Sequence, residues 1–236
     1  MALSPSHPIR ATHARYHGLL AVVCAVFLLA APLSASATIL QFSLNTLSLS
    51  GTSGVLAFDF IDGDGKAGNN TAVISDFSTN GTLDEDDIVI YGDAGDVTGE
   101  LPGPLTLVDS GFSIYEQRFT FGTTLSFTLT LTQQRGGGIF PDSFAFYLLE
   151  RYEDPELGEI FIPLFETTDP LGANALFAVD IDGSRGGDVF LFEAVEASVT
   201  WTLEPVATVP VPSTVWLLGA GLLGGLMARR RRVPPS

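Results

Sequence analysis

The stretch FTFGTTLSFTLTLT, Phe119 to Thr132, constrains the fold more than any other part of this chain. Within it Leu125, Phe127, Leu129 and Leu131 alternate with Ser126, Thr128, Thr130 and Thr132. A two-residue period places the apolar set on one face of a strand and the hydroxyl set on the other. Such a strand needs a core on one side and water on the other. Phe42, Leu44, Leu47 and Leu49 show nearly the same spacing, and Val55 to Phe60, Phe112 to Tyr115, Ser143 to Glu150 and Asp188 to Pro205 continue the pattern. GDAGD, PGP and RGGG separate these runs as turns.

No helical period of comparable length interrupts residues 38–208, so the expectation is an all-β domain, a β-sandwich or jelly-roll-like fold. The 17 phenylalanines suit it, because flat bulky rings fill the space between two sheets. About 170 residues suffice for one substantial core, and nothing marks an internal boundary.

Charge divides the chain sharply. All 27 acidic residues lie between Asp59 and Glu204, and residues 38–208 hold five basic ones, a formal charge of −22. A surface this acidic repels phosphate backbones and argues against nucleic acid as a partner. It suits solubility, divalent cations or contact with other polymers. His7, His13, His17 and Cys24 all precede this region. A chain lacking residues 1–37 would therefore have no disulfide, no Ser-His-Asp or Cys-His catalysis and none of the common zinc sites.

Both ends read as processing signals. Arg10 and Arg15 precede an apolar run, Leu19 to Ala31, followed by Pro32 and Ala35-Ser36-Ala37. That is the pattern of a secretory signal peptide over residues 1–37, cleaved after Ala37 or Ala35, with the export translocon and signal peptidase as partners. At the other end, Val209 to Ala228 would span about 30 Å as a helix, enough for a bilayer core. Arg229, Arg230, Arg231 and Arg232 would then hold the cytoplasmic side and leave the acidic domain outside.

The three-part tail carries a resemblance. Pro210, Val211, Pro212 and Ser213, a short Leu- and Gly-rich apolar run, and Arg229 to Arg232 together resemble the PEP-CTERM sorting signal. The family name comes from Pro-Glu-Pro, whereas Val211 stands between the prolines here. The resemblance implies a Gram-negative bacterium that makes exopolysaccharide. It also implies an exosortase that removes the tail, and a transient or permanent inner-membrane anchor before the cell surface or extracellular matrix. The phrases VLAFDFIDGDG, ISDFSTNG, GDVTG and FGTTLSF are similar to exported proteins with such tails, which implies a shared extracellular domain without an assigned activity.

Chemistry within the domain rests on carboxylates. Asp59, Asp62 and Asp64 in DFIDGDGKAGNN offer oxygen ligands of the kind Ca²⁺ takes, with Asn69 or Asn70 assisting. The EF-hand pattern fails, because its twelfth position from Asp62 is Val73 rather than glutamate. An ordinary Asp-Gly hairpin or loop is the competing reading. Asp84 to Asp87 with Asp93 and Asp96, and Asp180-Ile181-Asp182-Gly183 with Asp188, read first as solvated turns. RGGG lacks the lysine and the spacing of a phosphate cradle.

The sequence thus predicts a signal peptide (1–37), an extracellular all-β domain (38–208) and a sorting signal (209–232). Its expected role is structural or adhesive, in the envelope or polysaccharide matrix, and it is not expected to be an enzyme. A carbohydrate- or calcium-binding module is the first alternative. A matrix glycan hydrolase working through paired carboxylates is the second.

Overall fold

The computed structural model describes residues 37–206 apart from 157, 184–186 and 196–197. The expected signal peptide up to and including Ala35, and the tail from Pro210 to Arg232, lie outside the described residues; Ala37 opens the first strand.

The strands are β1 (Ala37–Asn45), β2 (Ser53–Ile61), β3 (Thr71–Thr79), β4 (Thr82–Tyr91), β5 (Val97–Thr98), β6 (Leu105–Val108) and β7 (Phe112–Thr120). They continue as β8 (Thr124–Thr132), β9 (Asp142–Asp154), β10 (Gly158–Pro163), β11 (Phe177–Ile181), β12 (Asp188–Leu191) and β13 (Thr200–Pro205). One sheet has the order β13-β1-β8-β3-β6-β5, and the other β12-β11-β9-β2-β7-β4, with β10 paired to the far half of β9. All the described strands belong to one compact unit, and neither sheet closes into a barrel.

Alternation explains how the layers face each other. On β8 the buried residues are Leu125, Phe127, Leu129 and Leu131, as their spacing requires. Phe42 of β1 sits opposite Phe127 in register, and both point at the second sheet. There Phe42 meets Phe146 of β9 and Phe177 of β11 with ring centres 5.3 and 5.2 Å apart. Phe127 meets Phe58 of β2 and Phe146 at 5.5 and 5.3 Å in edge-on arrangements. Aromatic pairs of this geometry add about 0.5–1.5 kcal/mol each beyond simple burial. The core is a stack of phenylalanines between two sheets.

Three sequence readings change in detail. The alternation that starts on β1 does not carry through Leu47 and Leu49, which form a single 3-10 turn. The Asn45 side chain accepts the Leu47 N–H and turns the chain, leaving Leu47 66% exposed. The run from Phe119 is broken at Phe121–Thr123, where Asn80 Oδ1 accepts the N–H groups of both Thr123 and Thr124. Asp84 to Asp87 are not a turn but part of β4, at the irregularity where its register with β7 shifts between Leu83 and Ile88.

Candidate metal centre

The loop after β2 closes one end of the sandwich. Asp62 Oδ1 accepts the Gly65 N–H at 2.7 Å, and Gly65 takes a left-handed conformation that favours glycine. The loop is pinned to neighbouring turns by Asp62 N–H to Gly111 O and Gly68 N–H to Asp109 O. These bonds turn Asp64 inward, where it is buried.

Asp64 meets Asp142, the first residue of β9. Asp142 Oδ1 accepts the N–H groups of Gly63 and Asp64 at 3.0 and 3.1 Å, and Asp142 Oδ2 accepts Asn70 Nδ2–H at 2.7 Å. Asp64 Oδ1 accepts the Lys66 N–H, while Oδ2 accepts from Asn69 Nδ2 and from the Gly136 N–H. One carboxylate oxygen from each of Asp62, Asp64 and Asp142 lies within 4.8 Å of the others.

Asp109, just after β6, completes the group. Its Oδ1 accepts the Asn70 N–H at 2.9 Å, and its carboxyl adjoins that of Asp142. Burial first, then Asp142, pushes the Asp109 carboxyl up to about 7. Asp109 Oδ2 and Asn69 Oδ1 are buried and accept no hydrogen bond. The ion pairs among the described residues lie elsewhere, on Asp87 and Glu159, so no described Lys or Arg forms an ion pair with this cluster.

The RGGG turn packs directly on Asp64. A Cβ at Gly136 would fall on the Asp64 carboxyl, and one at Gly138 would fall on the Asp64 backbone. Gly137 faces open space. The triple glycine therefore permits backbone to approach a carboxylate, rather than serving only as a turn.

Of the ligand candidates read from the sequence, the structure brings Asp62, Asp64, Asn69 and Asn70 together and separates Asp59. Asp59 follows the inward-facing Phe58 and so lies on the outer face of its sheet. Its electrostatic neighbours there are Glu116 of β7 and Tyr147 of β9. Asp109 and Asp142 lie tens of residues away in sequence, so the loop alone does not point to them. Their only signal was an Asp at a strand boundary beside Gly or Pro, in VDSG and FPDS.

The outer-face group has different chemistry. Burial raises Asp59 to about 6. Burial and then the Asp59 charge raise Glu116 to about 7, opposed by Arg151. Arg151 holds Asp87 with two bonds of 2.7 and 2.6 Å, keeping that carboxyl below its usual range, and also pairs with Glu159. The third acidic group is a strand pair: Asp180 of β11 faces Asp188 of β12 in register, and burial raises Asp180. Two hollows on the described surface, about 420 and 400 Å³, are shallow and share Thr82, Leu83 and Glu85 among their lining residues. Neither is lined by Asp59 or Glu116.

No curated protein and no solved structure matches this chain. Residues 208–232 match the family model described as the PEP-CTERM protein-sorting motif. The match spans the prolines, the apolar run and the arginines on which the resemblance was read. The chain therefore carries a PEP-CTERM sorting motif near its C-terminus, consistent with an exosortase substrate.

Proposed function

We propose that this is an exported envelope or matrix protein whose β-sandwich has a structural or adhesive role after an exosortase has processed its tail. The observation that carries the reading is the sorting motif at 208–232 following a two-sheet domain. In this reading the domain acts through its faces and edges. Two such surfaces are apolar. The strand β12 exposes Val189, Phe190 and Leu191, and the loop before β9 exposes Ile139 (89%) and Phe140 (71%). Exposed apolar edge strands favour pairing with other chains. The strong negative charge of the domain keeps such contacts selective.

Fractionation of the native host tests this. The protein is expected in the surface or polysaccharide fraction, and a strain lacking it should lose matrix cohesion. Recovery with the inner membrane alone, together with an unchanged matrix in the deletion strain, would refute the role. Catalysis is the competing reading, since Asp59 and Glu116 form a carboxylate pair of raised pKa. Hydrolysis of matrix glycans that is abolished by Glu116→Gln would favour it instead.

A further inference from the structure

We infer that the end of the sandwich closed by Asp62, Asp64 and Asp142 is a Ca²⁺ site, with Asp109 and the Asn69 amide oxygen as additional ligands. Three of the four carboxylates, Asp64, Asp109 and Asp142, are almost wholly withdrawn from water. Burying charge is costly unless it is paired or coordinated. No Lys or Arg among the described residues forms an ion pair with any of them.

A cluster of acids alone would not suffice. The independent observation is Asp109: fully buried, its Oδ2 accepting no N–H donor, and bridged to Asp142 by Asn70, whose N–H bonds Asp109 Oδ1 and whose Nδ2–H bonds Asp142 Oδ2. Asn69 Oδ1, also buried and unpartnered, belongs to the side chain whose amide nitrogen bonds Asp64. Two unpartnered oxygens therefore belong to side chains linked by hydrogen bonds to a triad of carboxylate oxygens gathered within 4.8 Å, Asn69 directly to Asp64 and Asp109 through Asn70 to Asp142. N–H groups orient Asp64 and Asp142; Asp64 Oδ1 and Asp142 Oδ2 each accept one such bond and keep a lone pair for a cation, whereas Asp64 Oδ2 and Asp142 Oδ1 each accept two.

The donor set selects the ion. It is oxygen only, drawn from several carboxylates and an amide, and contains no imidazole or thiolate, which excludes the usual zinc site. Ca²⁺ takes six to eight oxygens in irregular geometry, whereas Mg²⁺ demands an octahedron and releases its waters reluctantly. Ligands drawn from three separate loops form an irregular set.

The test is calcium titration of the full-length chain in detergent after chelator treatment, by calorimetry and thermal melting. One ion per chain should bind, with a dissociation constant of about 10⁻⁴ to 10⁻³ M or tighter. Millimolar Ca²⁺ should raise Tm by about 5 °C, and equal Mg²⁺ should do much less. Asp64 and Asp142 also hold the loops, so their variants risk misfolding. Asp62→Asn and Asp109→Asn keep the side-chain shape, and each should weaken binding at least tenfold in a chain that still melts cooperatively. Absence of both heat and Tm shift would overturn the site. Wild-type affinity in both variants would overturn it equally, by placing the ion elsewhere.

Discussion

The middle of the sandwich and its acidic end are built on opposite rules. Between the sheets, Phe42, Phe58, Phe127, Phe146 and Phe177 exclude water and need nothing from outside the chain. At the end, Asp64, Asp109 and Asp142 are as deeply buried but are all carboxyl groups. The core is closed by shape alone. The end is held by N–H groups from Gly63, Asp64, Lys66, Asn70 and Gly136, and its charge calls for a proton or a cation. Burial thus stabilises one region unconditionally and makes the other responsive to its medium.

The largest break in this comparison is a core deletion. Phe127→Ala should cost about 3–5 kcal/mol in denaturant unfolding, with or without Ca²⁺, because a large aromatic leaves a cavity. The same loss restored by Ca²⁺ would mean that the two regions are not independent.

Next comes a pair of glycines. Gly136→Ala drives a methyl group into the Asp64 carboxyl and should cost about 1–3 kcal/mol, with weakened Ca²⁺ binding. Gly137→Ala, facing open space, should change stability by less than about 0.5 kcal/mol. Equal effects would show that the turn does not press on the acid.

A pH series sharpens the contrast on the outer face. Asp59 and Glu116 ionise near 6 and 7 in the folded chain, above their ordinary values of 3.8 and 4.5. A carboxyl with a raised folded pKa favours the fold while protonated. The stability from this pair is therefore in place near pH 4 and is lost as pH rises through 6 and 7. The loss should be on the order of 2 kcal/mol once solvent screening around the partly exposed Asp59 is allowed for. The double variant Asp59→Asn, Glu116→Gln should flatten that part of the pH–stability curve. An unchanged slope would move the source elsewhere.

The smallest effect belongs to the partly exposed Arg151. Arg151→Met should cost about 1 kcal/mol in urea unfolding, since its ion pairs with Asp87 and Glu159 are partly solvated and its stem packs over Phe161.

What the sequence disclosed follows the range of the interactions. β8 was legible because its period is local and its two faces differ fully in polarity. β4 was not, because DEDDIVIY at a sheet edge has no apolar period over its first half. Leu47 and Leu49 kept the spacing of a strand while Asn45 turned the chain beneath them. At the acidic end, Asp62, Asp64 and Asn69 share one loop and could be read together. Asp109 and Asp142 join them only through the pairing of β3 with β6 and of β2 with β9. Asp59 shared the sequence spacing but not the face, since a two-residue period sends it to the opposite side from Phe58 and Phe60.

The central claim is that the tail is a sorting label on a domain destined for the surface. The most direct test is the intact mass of the protein from its native host, recovered through a tag in the exposed loop at Leu171. The account predicts a chain that ends near Pro212 or Ser213, and one that keeps its tail when the exosortase gene is deleted. A mass that retains Arg229 to Arg232 in both strains would contradict it and make the segment a permanent part of the protein.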